Sequence, residues 1–405
     1  MPGASGVAKP MHLRFYYDIV CPYAYLASRR VEAMAERAGA ELEWCPVLLG
    51  GLYRNHGTAD VPAETYAQAK AMIGATDLIH EAGCADAPFV LNPRHPQRSV
   101  TAMRLVTAAK GAARAAITHA LYRAYWVDNL DINDPDVLRP IAEAHGLSLN
   151  TAQDQSIKDT LRAQTKLASD RGVFGVPTFE VGGKIWWGQD RMHLVEEALG
   201  GSPDYLPQGQ AKSGTVIDFF HDFSSPYSYL AATQIKRVAD QVGATVVFKP
   251  MLLGALFKAI GTANVPIFTF GKARQAYTLR DLHDWAAYWE VPFNFAPHFP
   301  MRTVTAGRVA IIRPETTADI YRAAWVDGVD LNDDAALSAA LSGAGYDGDA
   351  LIDATQDPDV KAQLRANTEE AVQLGACGAP TMVVNGQLFW GNDRLNRVIR
   401  AALYG

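Results

Sequence analysis

Short apolar runs and longer amphipathic stretches alternate along the chain in an order typical of mixed α/β folds. Leu13 to Asp18 predicts a strand, Pro22 to Ala38 an amphipathic helix and Leu42 to Leu48 a second strand. A helix that connects two strands in this way makes a βαβ unit whose strands run parallel. Residues 50–170 then have mostly helical periodicity, interrupted by proline-containing turns.

The pattern changes again before residue 200. Phe179 to Val181 and Lys184 to Trp187 predict two strands joined at Gly182-Gly183, which is a hairpin signal. Asp190 to Leu199 has the periodicity of a closing helix. The resulting order of βαβ, helices and ββα predicts a thioredoxin-like α/β fold with a helical insertion.

The same series of elements occurs a second time, 204 residues later. The run from Asp18 to Ala27 aligns without a gap with the run from Asp222 to Ala231, and matches in the same register continue as far as Arg104 and Arg308. A repeat of this length has the size of a domain rather than of a solenoid unit. We therefore predict a tandem duplication, with a domain over residues 11–200, a linker over 201–214 and a domain over 215–405.

Composition narrows the class of protein. The chain has 405 residues, a formal net charge of −6 and no basic run, which argues against a nucleic-acid partner. Its four cysteines include no CxxC pair, so we expect thiols in a reducing compartment rather than a disulfide framework. The first residues lack a signal-peptide pattern, and no apolar run has the length of a membrane span. We expect a cytoplasmic protein without a membrane partner or a bound metal.

The turn at Ser225-Pro226 is the strongest candidate for chemistry. It lies between a strand predicted over Thr215 to Phe220 and a helix predicted over Tyr229 to Val242, so Ser225 is expected to cap the helix and Pro226 to begin it. Free amide groups and the helix dipole stabilise an anion at such an end, which favours a thiolate brought there by a ligand. Taken alone, however, a Ser-Pro pair at a helix start is usually only a cap.

In each half, the strand after the helical stretch begins with an X-Pro-Thr sequence, Val176-Pro177-Thr178 or Ala379-Pro380-Thr381. Proline at a strand start donates no hydrogen bond to the sheet. If its peptide bond is cis, the backbone of the preceding residue is exposed for an extended ligand to pair with. The sequence leaves the isomer open, and a simple strand-initiating turn is the alternative.

Together these motifs resemble those of a known family. The runs Ser225 to Ala231, Gly261 to Pro266, Gly378 to Thr381 and Trp390 to Arg394 are similar to segments of the 2-hydroxychromene-2-carboxylate isomerase and kappa-class glutathione transferase family, in the DsbA-like branch of the thioredoxin fold. The resemblance covers both halves and implies a glutathione site in the second. It implicates Ser225 as donor to the glutathione sulfur, Asn264 and Arg274 near the tripeptide, Ala379 and Pro380 beside the cysteinyl unit, and Asn392 and Asp393 at the γ-glutamyl ammonium.

The first half departs from that pattern. Cys21 stands at the position of Ser225, where the helix N-terminus is expected to lower the pKa of the thiol. Ala24 occupies the place of a second cysteine, which leaves only a monothiol exchange with glutathione. Asp60 replaces Asn264. The positions that stay in register as candidate cofactor contacts are Lys70, Val176, Pro177, Gln189 and Asp190. Whether this half is an altered active site or is retained for structure stays open.

Aromatic side chains of the second half bear on the substrate. Most of them are expected to belong to the core, and a minority to line a pocket that suits a flat aromatic acid. The residues concerned are Tyr227, Tyr229, Phe257, Phe268, Tyr277, Trp285, Trp289 and Trp325.

The expected function is a glutathione-dependent isomerase with its best-supported site at Ser225. It would act on a small aromatic-catabolic intermediate, such as a 2-hydroxychromene-2-carboxylate, by reversible thiolate addition. One alternative is a kappa-class-like glutathione transferase or a monothiol thiol-disulfide oxidoreductase that uses Cys21. The other is a non-enzymatic thioredoxin-fold binding module. Because proteins of this family are typically homodimers, the duplication suggests an intramolecular pseudo-dimer of the two halves.

Overall fold

The computed structural model describes residues 11–57, 68–203 and 206–405, which form two compact units. One unit, named here the Cys21 unit, comprises residues 11–57, 76–203 and 271–274. The other, the Ser225 unit, comprises residues 68–75, 206–270 and 275–405. The units therefore follow the sequence repeat except at two short segments, 68–75 and 271–274, each of which belongs to the unit formed mainly by the opposite repeat.

The strands of the first repeat are β1 (His12–Tyr17), β2 (Glu41–Pro46), β3 (Thr178–Val181) and β4 (Lys184–Trp187). Its helices are α1 (Pro22–Arg37), α2 (Leu49–Asn55), α3 (Gln68–Cys84), α4 (Val100–Ala108), α5 (Gly111–Trp126), α6 (Pro135–Ala144), α7 (Gln155–Asp170) and α8 (Met192–Ala198). The sheet order is β2-β1-β3-β4, in which β1 pairs parallel with β2 and antiparallel with β3. The predicted βαβ unit and terminal hairpin are confirmed.

The second repeat has the same architecture. Its strands are β5 (Val216–His221), β6 (Thr245–Pro250), β7 (Thr381–Val384) and β8 (Gln387–Trp390), in the order β6-β5-β7-β8. Its helices are α9 (Pro226–Val242), α10 (Leu253–Ile260), α11 (Lys272–Tyr288), α12 (Val304–Ile312), α13 (Thr317–Trp325), α14 (Asp334–Gly343), α15 (Gly348–Ala354), α16 (Pro358–Gln373) and α17 (Leu395–Tyr404).

Local sequence explains where the helix that follows β5 begins and ends. Ser225 has extended backbone and caps α9, Pro226 takes the first helical position, and Gly243 ends the helix in the left-handed conformation at φ 73°. Proline suits a first helical position because it needs no amide there, and glycine adopts a positive φ without steric cost. The helix therefore starts at Pro226, as the Ser225-Pro226 pair predicts.

Two apolar clusters of the Ser225 unit lie on opposite faces of its sheet strands. One packs Phe219, Met382 and Val398 with residues of α9 and α17. The other joins Phe220 to Phe257 of α10, to Ala371 of α16 and to the segment that follows α16. Phe219 and Phe220 are fully buried, and burial of such a ring contributes about 1.5–3 kcal/mol. The carboxyl end of β5, where the Ser225 turn begins, is thereby held from both faces.

Within the described ranges, no helix has both the length and the hydrophobicity that spanning a membrane requires.

Candidate active site

The hydroxyl of Ser225 lies at the N-terminus of α9 and takes part in two hydrogen bonds. Its Oγ accepts from the backbone amide of Ser228 at 3.1 Å, and its O–H donates to the backbone carbonyl of Ala379 at 2.9 Å. Only 4% of Ser225 is exposed. The capping role predicted for Ser225 is confirmed, and the hydroxyl bridges the start of α9 and the start of β7.

Asp222 fixes the turn that presents Ser225. Its carboxylate accepts from the amide of Ser224 at 2.8 Å, the amide of Leu253 at 2.7 Å and the hydroxyl of Thr303 at 2.6 Å. Burial raises the pKa of Asp222, and the three hydrogen bonds oppose that shift. The sequence analysis included Asp222 in the repeated run without giving it a role. Its recurrence as Asp18, which accepts from Leu49 at 2.8 Å, was the available signal.

The peptide bonds Val176–Pro177 and Ala379–Pro380 are both cis. The sequence left this isomer open. The backbone carbonyl of Pro380 accepts a hydrogen bond from the amide of Gly391 at 3.0 Å. This bond holds the end of β8 next to the start of β7. Ala379 is thus a direct neighbour of Ser225, and Pro380 a direct neighbour of the turn that contains Asn392.

Asn392 and Asp393 lie in a 3₁₀ turn directly after Gly391, whose φ of 109° strongly favours glycine. Asn392 is 1% exposed, and its Nδ2 has no hydrogen-bond partner among the described residues. Asp393 forms an ion pair with Arg394 at 3.1 Å. An unpaired buried amide donor costs free energy, so a ligand acceptor at this point would be stabilising.

Asn264 belongs to the exposed segment after α10. Its Oδ1 lies 3.1 Å from the position that a Cβ would occupy on Gly254, in the first turn of α10. That helix begins at Leu253, whose amide is bound by Asp222. The first turn of α10 therefore lies next to both Asn264 and Asp222, the residue that fixes the Ser225 turn.

Arg274 and Lys70 are placed differently from the expectation. The Arg274 guanidinium lies 5.3 Å from the centre of the Trp187 ring, and the segment 271–274 belongs to the Cys21 unit. The Lys70 ammonium lies 5.9 Å from the centre of the Trp390 ring, and the segment 68–75 belongs to the Ser225 unit. Arg274 thus packs in the Cys21 unit and Lys70 in the Ser225 unit, each opposite to the repeat to which it belongs in sequence.

Cys21 occupies the position equivalent to Ser225 but is chemically different. Its Sγ donates to the carbonyl of Val176 at 3.1 Å, and the residue is 6% exposed. Burial raises the pKa of Cys21 to about 12, although the backbone amide of Ala24 acts in the opposite direction. The expected lowering of this pKa is wrong, because loss of solvation outweighs the helix N-terminus.

Other candidate positions of the first repeat keep the geometry of the second. Pro177 follows Val176 at the start of β3, and the carbonyl of Pro177 accepts from Gly188 at 2.9 Å. Asp190 forms an ion pair with Arg191 at 3.0 Å. Gln189 is 2% exposed, and its side-chain Nε2 has no hydrogen-bond partner in the described part of the chain, as with Nδ2 of Asn392. Asp60 lies outside the described residues.

Comparison with known proteins agrees with this duplicated architecture. The family model of the DsbA-like thioredoxin domain matches twice, over residues 12–200 and 216–401. The chain belongs to the DsbA-like thioredoxin family.

Two curated relatives show which members of this DsbA-like family the chain is similar to. A 2-hydroxychromene-2-carboxylate isomerase of Sphingobium xenophagum is 30% identical over 192 residues, which are 45% of this chain and 94% of that protein. Glutathione S-transferase kappa 1 of Homo sapiens is 25% identical over 200 residues, or 44% of this chain and 87% of that protein. A solved 2-hydroxychromene-2-carboxylate isomerase structure matches with a TM-score of 0.43 and 24% identity, over 47% of this chain and 95% of its own.

The second DsbA-like domain has an aromatic wall beside the Ser225 turn, defined here as Phe268, Phe295, Phe299 and Trp325. Ring centres are 6.2 Å apart for Phe268 and Phe299, 5.1 Å for Phe295 and Phe299, and 5.8 Å for Phe295 and Trp325. The indole of Trp325 donates to the carbonyl of Phe223 at 2.8 Å, two residues before Ser225. The wall therefore begins at the candidate site.

Hydrogen bonds fix this wall relative to the Ser225 turn. The amide of Met301 donates to the hydroxyl of Ser224 at 3.1 Å, and Thr303 binds Asp222. Phe268 is 65% exposed, whereas Trp325 is fully buried. Of the eight aromatic residues that the sequence analysis considered, most of which were expected in the core, those found buried are Tyr229, Phe257, Tyr277, Trp285 and Trp325.

Phe295 and Phe299 were missed by the sequence analysis. Both are partly buried. A signal was available in the aligned repeats, because the second has phenylalanine at two positions where the first has Leu91 and His95. The wall is therefore a feature of the second domain that the duplication itself does not supply.

Proposed function

We propose that this DsbA-like protein is a glutathione-dependent isomerase that acts at Ser225 on an aromatic-catabolic intermediate such as a 2-hydroxychromene-2-carboxylate. The observation that carries the proposal is the Ser225 hydroxyl, which caps a 17-residue helix and donates to the Ala379 carbonyl. At this position the protein offers a hydrogen-bond donor for an anion rather than a thiol of its own. The similarity to a named isomerase at 30% identity supports the proposed reaction class.

The residues around Ser225 fit glutathione. The unpaired buried Nδ2 of Asn392 can donate to a carboxylate or carbonyl oxygen, and the neighbouring Asp393 carboxylate can accept from an ammonium. The backbone of Ala379 lies next to the Ser225 hydroxyl. When bound, glutathione supplies a thiolate that adds reversibly to a conjugated double bond.

Ser225 has one hydroxyl hydrogen, so donation to a sulfur anion would replace its bond to the Ala379 carbonyl. Its acceptor role toward the Ser228 amide is compatible with either orientation. The N-terminus of α9 adds the positive end of the helix dipole. A hydrogen bond to a charged group contributes about 1.5–3 kcal/mol, roughly a 10- to 150-fold preference for the anion.

The aromatic wall supports an aromatic substrate. It follows directly on the Ser225 turn, and the exposed ring of Phe268 leaves an apolar face that a flat ring can stack on. Because the first repeat has Leu91 and His95 in place of Phe295 and Phe299, the wall favours the second domain as the substrate site.

The alternative of a transferase or monothiol oxidoreductase centred on Cys21 is less well supported. The similarity to a kappa-class glutathione transferase favours the transferase, but a monothiol oxidoreductase would need the thiolate of Cys21 as its nucleophile. Burial raises the pKa of that thiol to about 12, and its hydrogen is directed to the Val176 carbonyl. Cys21 is therefore held as a thiol at neutral pH.

We also propose a cytoplasmic location, because all four cysteines are free thiols, as proteins of reducing compartments usually have. We further propose two domains, over residues 11–200 and 215–405, joined by a linker at 201–214. We propose that the two repeats form a pseudo-dimer within one chain.

The decisive experiment follows turnover of a 2-hydroxychromene-2-carboxylate by absorbance, with and without reduced glutathione. We expect glutathione-dependent turnover that Ser225→Ala lowers about 10- to 100-fold, as loss of one charge-assisted hydrogen bond predicts. The matched control is Cys21→Ala, at the equivalent position of the first repeat, which is expected to keep turnover close to wild type.

The opposite ranking of the two variants would transfer the activity to Cys21 and favour exchange chemistry. Absence of glutathione binding by calorimetry at millimolar concentration would leave only the binding-module alternative.

A further inference from the structure

Lys70 lies in the unit of Ser225, although it belongs to the sequence of the first repeat. Its ammonium is 5.9 Å from the centre of the Trp390 ring. The indole Nε1 of Trp390 in turn lies 2.5 Å from the position that a Cβ would take on Gly378, the residue before Ala379. The Trp390 ring therefore contacts both Lys70 and Gly378, and Gly378 directly precedes the residue whose carbonyl accepts from Ser225.

The charge of Lys70 also acts on a residue of the loop that leads to Ala379. Cys377, which is 5% exposed, precedes Gly378 and Ala379 in the same loop. Burial raises the pKa of Cys377 to about 12, and the charge of Lys70 acts to lower it. Trp390 and Cys377 lie on either side of the Ala379 segment in sequence. The Lys70 ammonium lies over the ring of Trp390, and its charge acts on the thiol of Cys377.

Arg274 repeats this arrangement in the Cys21 unit. Its guanidinium is 5.3 Å from the centre of the Trp187 ring, and the Trp187 Nε1 lies 2.8 Å from the position of a Cβ on Gly175. Gly175 precedes Val176, whose carbonyl accepts from Cys21. The helix start that holds Arg274 is anchored in the same unit, since a Cβ on Gly271 would lie 3.1 Å from the His56 carbonyl.

We propose that Lys70 is the cation of the Ser225 site and Arg274 the cation of the Cys21 site, so that each site is completed by a side chain from the opposite repeat. This inference rests on the proposed function for the identity of the ligand, and it assigns Lys70 to an anionic carboxylate of glutathione. The duplication in one chain then has a chemical consequence, because neither repeat contains the full set of charges for its own site.

The ligand-binding test measures glutathione affinity by calorimetry. The binding event that Ser225→Ala removes identifies the Ser225 site. At that site we expect Lys70→Met to raise the dissociation constant about 3- to 10-fold, as loss of a partly exposed ion pair predicts. Lys70→Arg is expected to stay within about twofold, because it keeps the charge. Arg274→Met is the matched control and is expected to leave this site unchanged.

A second arm needs no ligand. The rate at which iodoacetamide alkylates Cys377 follows its thiolate fraction, and peptide mapping by mass spectrometry separates it from the other three thiols. We expect Lys70→Met to slow the reaction roughly twofold or more, and Arg274→Met to leave it unchanged.

The two arms separate the two hypotheses. If wild-type protein fails to bind glutathione while Lys70→Met slows Cys377, the proposed function is wrong and the placement of Lys70 stands. If Arg274→Met weakens the Ser225 site, or if Lys70→Met changes neither glutathione affinity nor the reactivity of Cys377, the crossed assignment is refuted.

Discussion

His221 predicts a specific acid sensitivity of the Ser225 unit. Its side chain is fully buried at the end of β5, directly before Asp222. The Nδ1 is 2.9 Å from the Tyr321 hydroxyl, and rings of Phe219 and Phe223 lie 5.5 and 5.3 Å away. The Nε2 has no partner among the described residues. Burial lowers the pKa of His221 to about 3, so the folded protein holds a neutral imidazole.

The sign and size of the effect follow from linkage. The unfolded chain binds a proton at His221 below about pH 6.5, whereas the folded chain does not until about pH 3. Stability from this residue is therefore complete above pH 6.5 and falls as the pH decreases. At pH 5 the expected loss relative to pH 8 is about 2 kcal/mol, and this value changes little if the folded pKa lies anywhere below 4.

The assay is urea unfolding, followed by tryptophan fluorescence at pH 8 and pH 5, of the wild type and of His221→Phe. The variant has no titrating group at this position, so we expect its stability loss between the two pH values to be smaller by about 2 kcal/mol. His283→Gln, at an exposed histidine, is the control and is expected to behave as the wild type. Equal losses in wild type and His221→Phe would refute the argument that a neutral His221 is buried in the folded state.

Three further predictions concern the site. Asp222→Asn is expected to lower the free energy of unfolding by about 2–4 kcal/mol in urea titrations, because the amide places a donor against the donors of Ser224, Leu253 or Thr303. Gly378→Ala puts a methyl 2.5 Å from the Trp390 indole nitrogen and is expected to cost about 1–3 kcal/mol and weaken glutathione binding in calorimetry, whereas Gly343→Ala, with open space at its Cβ, is expected to be close to neutral. Phe299→His introduces the residue of the first repeat into the aromatic wall and is expected to raise KM for an aromatic substrate roughly fivefold with little change in kcat, measured by steady-state turnover; an unchanged KM would exclude the wall from substrate binding.

The sequence by itself determined the elements that depend on local chemistry. The alternation of apolar positions predicted the βαβ and ββα units of both repeats. The structure has both units in each repeat, as a four-stranded sheet. The Ser225-Pro226 pair predicted a helix start because a cap and a first-turn proline act within a few residues of each other. The exact register between the repeats showed the duplication without any tertiary information.

Only the tertiary structure decided properties that depend on distant residues. A helix N-terminus predicts a lowered thiol pKa, yet Cys21 is enclosed by the fold, and burial raises its pKa to about 12. Whether Asn392 has a hydrogen-bond partner likewise depends on residues far away in sequence. Solvation is set by everything that packs around a group, which no local motif encodes.

The crossed positions of Lys70 and Arg274 show the same limit most clearly. Their matching register predicted that each would serve its own repeat, but the starts of α3 and α11 pack in the opposite units. Register reports which residues share an ancestor position, whereas the partner of a side chain is set by the path of the chain through space. Sequence therefore matched the two positions, and the tertiary structure decided in which unit each side chain packs.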